Sequence, residues 1–75
     1  GLHEVLLPAG RWAHTLHRGS YTGIGDAWQR LLGQWLAGSG QRMRASGECF
    51  ELYLNHPGNA REEDLQTLLY VPLEG

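Results

Sequence analysis

The side chains best suited to chemistry lie in one short strand-like run, Cys49-Phe50-Glu51-Leu52-Tyr53-Leu54-Asn55. Because strand side chains alternate between faces, Glu51 shares its face with Cys49 and Tyr53. The opposite face is predicted to be core and carries Phe50, Leu52 and Leu54. A carboxylate beside an aromatic ring attracts cations, so the Glu51 face is either a solvated sheet face or the wall of a ligand pocket. Spacing alone favours the solvated face.

Further aromatic residues are candidates for the same site. Glu51 and Tyr53, with Tyr70 or Trp12 from a neighbouring strand, would form a site for an amphipathic cation. Which of these two rings shares the face of Glu51 depends on strand register, which the sequence does not fix. Trp28 lies on the apolar stripe of a predicted helix, so we interpret it first as core and second as a ligand contact.

The sequence does not predict a metal site, a cofactor or a catalytic residue. His14 and His17 lie three apart in a predicted strand, so their side chains should point to opposite faces. No Cys-x-x-Cys or His-Glu-x-x-His spacing is present. The lone Cys49, next to Phe50, is more typical of a small buried hydrophobic residue than of a nucleophile.

Composition limits the remaining function classes. The 75 residues carry a net charge of −2, and the six basic residues are arginines scattered along the chain, which argues against nucleic-acid binding. A single cysteine excludes an internal disulfide and favours a reduced thiol in the cytoplasm. No apolar run approaches the ~18 residues that span a bilayer, so we expect no membrane association. The acidic run 62–64 is typical of a solvated turn or a first helical turn.

Periodicity predicts a single α+β domain over residues 1–75, in the order strand, helix, strand, strand. Its expected elements are strands at about 3–7 and 11–17, a helix at about 22–37, and strands at about 49–55 and 65–72. The residues Pro8-Ala9-Gly10 interrupt the first strands as a bulge or edge irregularity. One amphipathic helix should therefore lie across one face of a largely antiparallel sheet.

The helix carries the clearest pattern in the chain. Apolar residues at helical spacing form one stripe: Ile24, Ala27, Trp28, Leu31, Leu32, Trp35 and Leu36. Ser20 or Thr22 can cap its start. Gly23 and Gly25 are unfavourable in a first turn, so either the helix begins later or another group approaches closely there.

The order of short motifs along the chain resembles the GyrI-like small-molecule-binding domain, the effector-binding part of many AraC-type and multidrug-responsive bacterial regulators. The resemblance rests on Pro8-Ala9-Gly10-Arg11-Trp12-Ala13, His17-Arg18-Gly19-Ser20-Tyr21, Ala27-Trp28, Trp35-Leu36, Ser39-Gly40, Phe50-Glu51-Leu52-Tyr53, Thr67 and Tyr70-Val71-Pro72-Leu73. The family domain has two strand-helix-strand-strand repeats, and this chain matches the second.

The resemblance implies a ligand cleft between two repeats, in which the Glu of a Glu-x-Tyr strand faces cationic, aromatic-lipophilic ligands. It assigns that role to Glu51 and Tyr53, while Tyr21 matches by position only. A homodimer would replace the missing repeat by a second copy; the alternative is that the chain is half of a larger regulator. The implied function is an effector-binding module of a bacterial regulator, or a sensor or sequestering protein. The alternatives are a hydrolase using the pocket Glu and Tyr, or a protein-interaction module of the gyrase-inhibitor type.

Overall fold

The computed structural model describes residues 2–7 and 10–74, which form one four-stranded antiparallel sheet and one long helix packed on it. The strands are β1 (Leu2–Leu7), β2 (Gly10–Arg18), β3 (Phe50–Tyr53) and β4 (Gln66–Pro72). Their spatial order is β1-β2-β4-β3, so β1 and β3 are the two edges. The expected α+β fold is confirmed. The third strand, β3, is shorter than the strand predicted at about 49–55.

The antiparallel pair β1 and β2 precedes the helix. Leu7 of β1 lies opposite Gly10 of β2 in an antiparallel register. Gly10 has a φ of 125°, which an L side chain rarely adopts. The expected bulge involved Pro8 and Ala9, which lie outside the described residues. The expected order of strand, helix, strand and strand corresponds to β2, the long helix, β3 and β4.

The long helix changes its hydrogen-bonding pattern along its length. It begins with a 3-10 turn (Tyr21–Gly23) and continues as α1 (Ile24–Gln29), a π-helical segment (Arg30–Leu36) and the short α2 (Ala37–Ser39). The expected cap at Ser20 is present, because its Oγ accepts the backbone N–H of Thr22 at 3.2 Å. Gly40 ends the helix in the left-handed conformation, with φ at 78°.

The core lies between this helix and the inner face of the sheet. The apolar stripe predicted on the helix is confirmed: its members are buried or half-buried. The buried residues of this core come from both layers: Ala13, Ile24, Ala27, Leu31, Leu69, Val71 and Leu73. Burial of a leucine or valine side chain stabilises the fold by about 1.5–3 kcal/mol, and β4, between two strands and under the helix, contributes Leu69 and Val71 to this core.

A close approach explains one of the two glycines at the helix start. A Cβ on Gly23 would lie 3.0 Å from Cε1 of His17, whereas nothing lies within 4 Å of the corresponding position on Gly25. The His17 ring is held there by a contact of 2.9 Å between its Nε2 and the carbonyl oxygen of Ser20. The helix therefore begins late and leaves space for a strand side chain.

The prediction that Phe50, Leu52 and Leu54 form core is wrong. These side chains are 41%, 46% and 50% exposed. Glu51 lies opposite Leu69, which is fully buried beneath the helix. Alternation identified which residues share a face, but it could not say which face meets the helix. The inner face of the edge strand β3 is the one that carries Glu51.

Candidate functional site

Glu51 lies at the junction of the helix and β3, and both of its carboxylate oxygens accept hydrogen bonds. The indole Nε1–H of Trp28 donates to Oε2 at 2.7 Å. The hydroxyl of Tyr53, two residues further along the same face of β3, donates to Oε1 at 2.5 Å. Hydrogen bonds to an ionised acceptor are stronger than those between neutral groups. The arrangement therefore fixes the carboxylate in one orientation.

A second tyrosine completes this group. Tyr21, in the 3-10 turn before α1, lies with its ring centroid 5.4 Å from that of Tyr53, at an angle of 57°. Its hydroxyl donates to the backbone carbonyl of Asn55 at 3.5 Å. We call the group formed by Glu51, Tyr53, Tyr21 and Trp28 the Glu51 notch. Tyr53 is 53% exposed, so the notch is open to solvent on its outer side.

Hydrogen bonding keeps the notch negatively charged. The hydrogen bond from Tyr53, followed by that from Trp28, lowers the pKa of Glu51 below its ordinary value of 4.5, and desolvation opposes them. The same hydrogen bond raises the pKa of Tyr53, because its hydroxyl is held as a donor. A carboxylate has about four acceptor positions, so two remain for an incoming cation. The ring faces around them can add a cation–π contribution of about 0.5–2 kcal/mol.

An apolar groove of about 500 Å³ extends from Trp28 along one side of the helix. Its lining residues are Trp28, Gln29, Leu32, Gly33 and Gln34. Trp28 thus contacts the carboxylate with its indole nitrogen and lines the groove with its ring. The structure places an ionised oxygen and an apolar surface side by side.

Trp12 and Tyr70 lie on the opposite face of the sheet from Glu51. Phe50 pairs with Tyr70 in register, and their rings stack at a centroid distance of 4.5 Å. Trp12 packs edge-on against Phe50 at 5.2 Å. The hypothesis that Trp12 or Tyr70 shares the Glu51 face is therefore wrong. Of the six predicted ligand contacts, the structure brings together the four residues of the Glu51 notch.

The register also creates a row of rings that the sequence did not reveal. His3, His14, Tyr70 and Phe50 lie opposite one another across all four strands. Successive centroids are 5.4, 5.0 and 4.5 Å apart. Burial is the main cause of the lowered pKa of His14. The four residues are scattered along the chain, so the signal appears only once the strand pairing is known.

The remaining candidate reactive side chains are His14, His17 and Cys49. His14 and His17 point to opposite faces of the sheet, since His14 stacks in the ring row while His17 packs beside Gly23 under the helix. The half-buried thiol of Cys49 lies 3.6 Å from the sulfur of Met43, and burial raises its pKa. A raised pKa lowers the thiolate fraction and makes Cys49 a poor nucleophile.

Comparison with known proteins identifies the family. The sequence profile of the GyrI-like small molecule binding domain matches residues 1–74. The chain belongs to the GyrI-like family. The chain is 34% identical over 73 residues to a DNA gyrase inhibitor of Erwinia billingiae, and equally so to a protein named probable transcriptional regulator YgiV in Escherichia coli O157:H7. Each match covers 97% of this chain but 45% of the relative, so the chain spans less than half the length of these relatives.

Two solved structures share the fold. An uncharacterized conserved protein from Listeria innocua superposes with a TM-score of 0.73 at 24% identity, over 87% of this chain and 32% of that one. A hydrolase from the same organism superposes with a TM-score of 0.65 at 20% identity, over 87% and 34% of the two chains. At these identities the likeness is one of fold. Within residues 2–7 and 10–74, the structure contains no helix that is both long and apolar enough to span a bilayer.

Proposed function

We propose that this chain is the effector-binding module of a bacterial regulator, or a sensor or sequestering protein, and that it binds aromatic cations at the Glu51 notch. The observation that carries the proposal is the double hydrogen bonding of Glu51 by Trp28 and Tyr53. These bonds keep the carboxylate ionised and fixed, and the rings of Tyr21 and Tyr53 stand beside it. A delocalised cation on an aromatic body complements both features.

The open side of the notch favours a second copy of the chain as its other wall. Tyr21 and Tyr53 are 37% and 53% exposed, so they cover one side of a bound molecule. Ligand sites usually bury most of the ligand surface. A homodimer would bring a second wall to this open side. We propose this assembly in the cytoplasm, where the single Cys49 stays reduced.

Hydrolysis by Glu51 and Tyr53 is the weaker candidate. A general base is most effective when its pKa lies near the working pH. Here the hydrogen bonds lower the pKa of Glu51 and raise that of Tyr53, so at neutral pH the first is a weak base and the second stays protonated. Both shifts favour binding over proton transfer.

A protein-interaction role is the second candidate, because one relative at 34% identity is named DNA gyrase inhibitor and because three large apolar side chains of this chain are exposed in a row. Supercoiling by gyrase, measured with and without the chain, tests it. Inhibition that Leu52→Ser abolishes and Glu51→Gln leaves unchanged would favour this candidate over effector binding.

Nuclear magnetic resonance locates the proposed ligand. N-methylquinolinium, a planar aromatic cation, is titrated into ¹⁵N-labelled chain while the indole Nε1–H resonances of all three tryptophans are followed. The proposal predicts saturable shifts of the Trp28 resonance, with Trp12 unaffected. Shifts confined to Trp12, on the other sheet face, would contradict it. Light scattering on the same samples measures whether the ligand-bound species is a dimer.

A further inference from the structure

A second cavity lies on the other side of the long helix from the Glu51 notch. It has a volume of about 360 Å³ and lies between the helix and strands β1 and β2. Its lining residues are Leu2, Thr15, Leu16, His17, Arg18, Ala27, Arg30, Leu31 and Trp35. None of these belongs to the Glu51 notch. We call this cavity the Arg30 cleft.

The lining of the Arg30 cleft has one sign of charge. Its charged lining residues are Arg18, at the end of β2, and Arg30, on the helix, beside the imidazole of His17, and no acidic residue lines it. In the described part of the chain, no acidic group forms an ion pair with Arg30, including Asp26 one helical turn earlier. A cleft lined by charge of one sign raises the local concentration of ligands of the opposite sign. Anions should therefore enter this cleft.

Apart from Thr15, the rest of the lining is apolar. Ala27 and Leu31, at 6% and 3% exposure, form its floor, and the ring of Trp35 forms part of its side. Arg30, Leu31 and Trp35 all belong to the π-helical segment, a geometry that is frequent at functional sites. The cavity volume lies at the small end of the range for ligand pockets, about 300–1,000 Å³. It suits a molecule of one or two fused rings.

We propose that the Arg30 cleft is a second ligand site, which binds a small planar aromatic carboxylate between Arg30 and Trp35. The planar guanidinium of Arg30 matches a carboxylate in a bidentate geometry. The aromatic body lies against Trp35 and the floor formed by Ala27 and Leu31. This site is separate from the Glu51 notch and prefers the opposite charge, so it goes beyond the function proposed above.

The test uses two probes of nearly the same shape, 2-naphthoate and its neutral amide, 2-naphthamide. Each is titrated into the ¹⁵N-labelled chain, with the Trp35 indole resonance as the reporter for the cleft and the Trp28 resonance as the reporter for the notch. Arg30→Gln removes the charge from an exposed position, and Arg42→Gln removes another exposed charge, one that does not line the cleft. The thermal midpoint of each variant checks that the fold is intact.

The proposal predicts that 2-naphthoate shifts the Trp35 resonance and binds about fivefold or more tightly than 2-naphthamide, the scale of a charge-assisted hydrogen bond. Arg30→Gln should remove this preference, while Arg42→Gln and Glu51→Gln should leave it unchanged. Equal affinity for the two probes would overturn the proposal. Shifts at Trp28 in place of Trp35, or an undiminished preference in Arg30→Gln, would overturn it too, and none of these results bears on cation binding at Glu51.

Discussion

The indole N–H of Trp28 donates to Oε2 of Glu51 at 2.7 Å, and this hydrogen bond joins the helix to the edge strand β3. β3 is only four residues long and is paired on one side, to β4. The edge strand is thus attached to the helix by the same carboxylate that faces the proposed ligand. Stability and binding are consequently coupled at Glu51.

Trp28→Phe tests this link. It keeps an aromatic ring in the half-buried position and removes the donor to Glu51. We expect the free energy of unfolding to fall by about 1 kcal/mol, and the pKa of Glu51 to rise towards its ordinary value. Urea unfolding measures the first effect, and a carbon-13 titration of the Glu51 carboxyl measures the second. Trp35→Phe is the control, because it makes the same change of ring at a position that does not contact Glu51; a Glu51 pKa equally raised in both variants would refute the link.

The lowered pKa of Glu51 gives the stability of the chain a defined pH dependence. A carboxyl with a lower pKa in the folded state than in the unfolded state stabilises the fold when it is ionised. That contribution is complete above the ordinary value of 4.5 and is lost as the pH falls through the lower pKa of the folded state. Unfolding of wild type and Glu51→Gln should therefore differ by a constant amount near neutral pH and converge in acid. A difference that stays constant throughout would show that the Glu51 pKa is the same in both states.

Two leucines, one on each face of the sheet, test which face is buried. Leu69→Ala removes a fully buried side chain and should lower the free energy of unfolding by about 2–5 kcal/mol. Leu52 is 46% exposed, so Leu52→Ala should change that free energy by less than about 1 kcal/mol in the monomer. Urea unfolding at several protein concentrations makes the comparison. Equal losses at all concentrations would contradict the assignment of faces.

The two glycines at the helix start should respond differently to the same substitution. Gly25→Ala adds a methyl group in open space within α1, so it should stabilise the fold by about 0.4–1 kcal/mol. Gly23→Ala places its methyl group 3.0 Å from the His17 ring, so it should stabilise less or destabilise. Thermal unfolding measures both variants. A larger gain from Gly23→Ala than from Gly25→Ala would show that the His17 ring does not pack there.

The sequence predicted the helix and the alternation within strands because both depend on local spacing. The stripe from Ile24 to Leu36 is a repeat along one segment, and the opposite orientation of His14 and His17 follows from their separation. The strand pairing could not be predicted from local spacing, because it depends on contacts between distant segments. This pairing places Glu51 beside Leu69 on the inner face, and it places Tyr70 on the opposite face.

The residues of the Glu51 notch also show that local spacing does not reveal contacts between distant segments. Glu51 and Tyr53 were recognised together because they are two residues apart on one strand. The helical stripe predicts core for Trp28, and Trp28 is both packed against the core and the donor to Glu51, a dual role that spacing cannot reveal. The Arg30 cleft was missed for a related reason, since its lining comes from two strands and the helix.

The most direct test of the central claim compares N-methylquinolinium with quinoline, which has nearly the same shape and is uncharged near neutral pH. Calorimetry gives the affinity of each for wild type, Glu51→Gln and the control Glu63→Gln, whose side chain is 70% exposed and outside the notch. We predict that wild type and the control bind the cation about fivefold or more tightly than quinoline, a preference worth at least about 1 kcal/mol, and that Glu51→Gln loses this preference. An undiminished preference for the cation in Glu51→Gln would contradict the assignment of Glu51 as the ligand-facing acid.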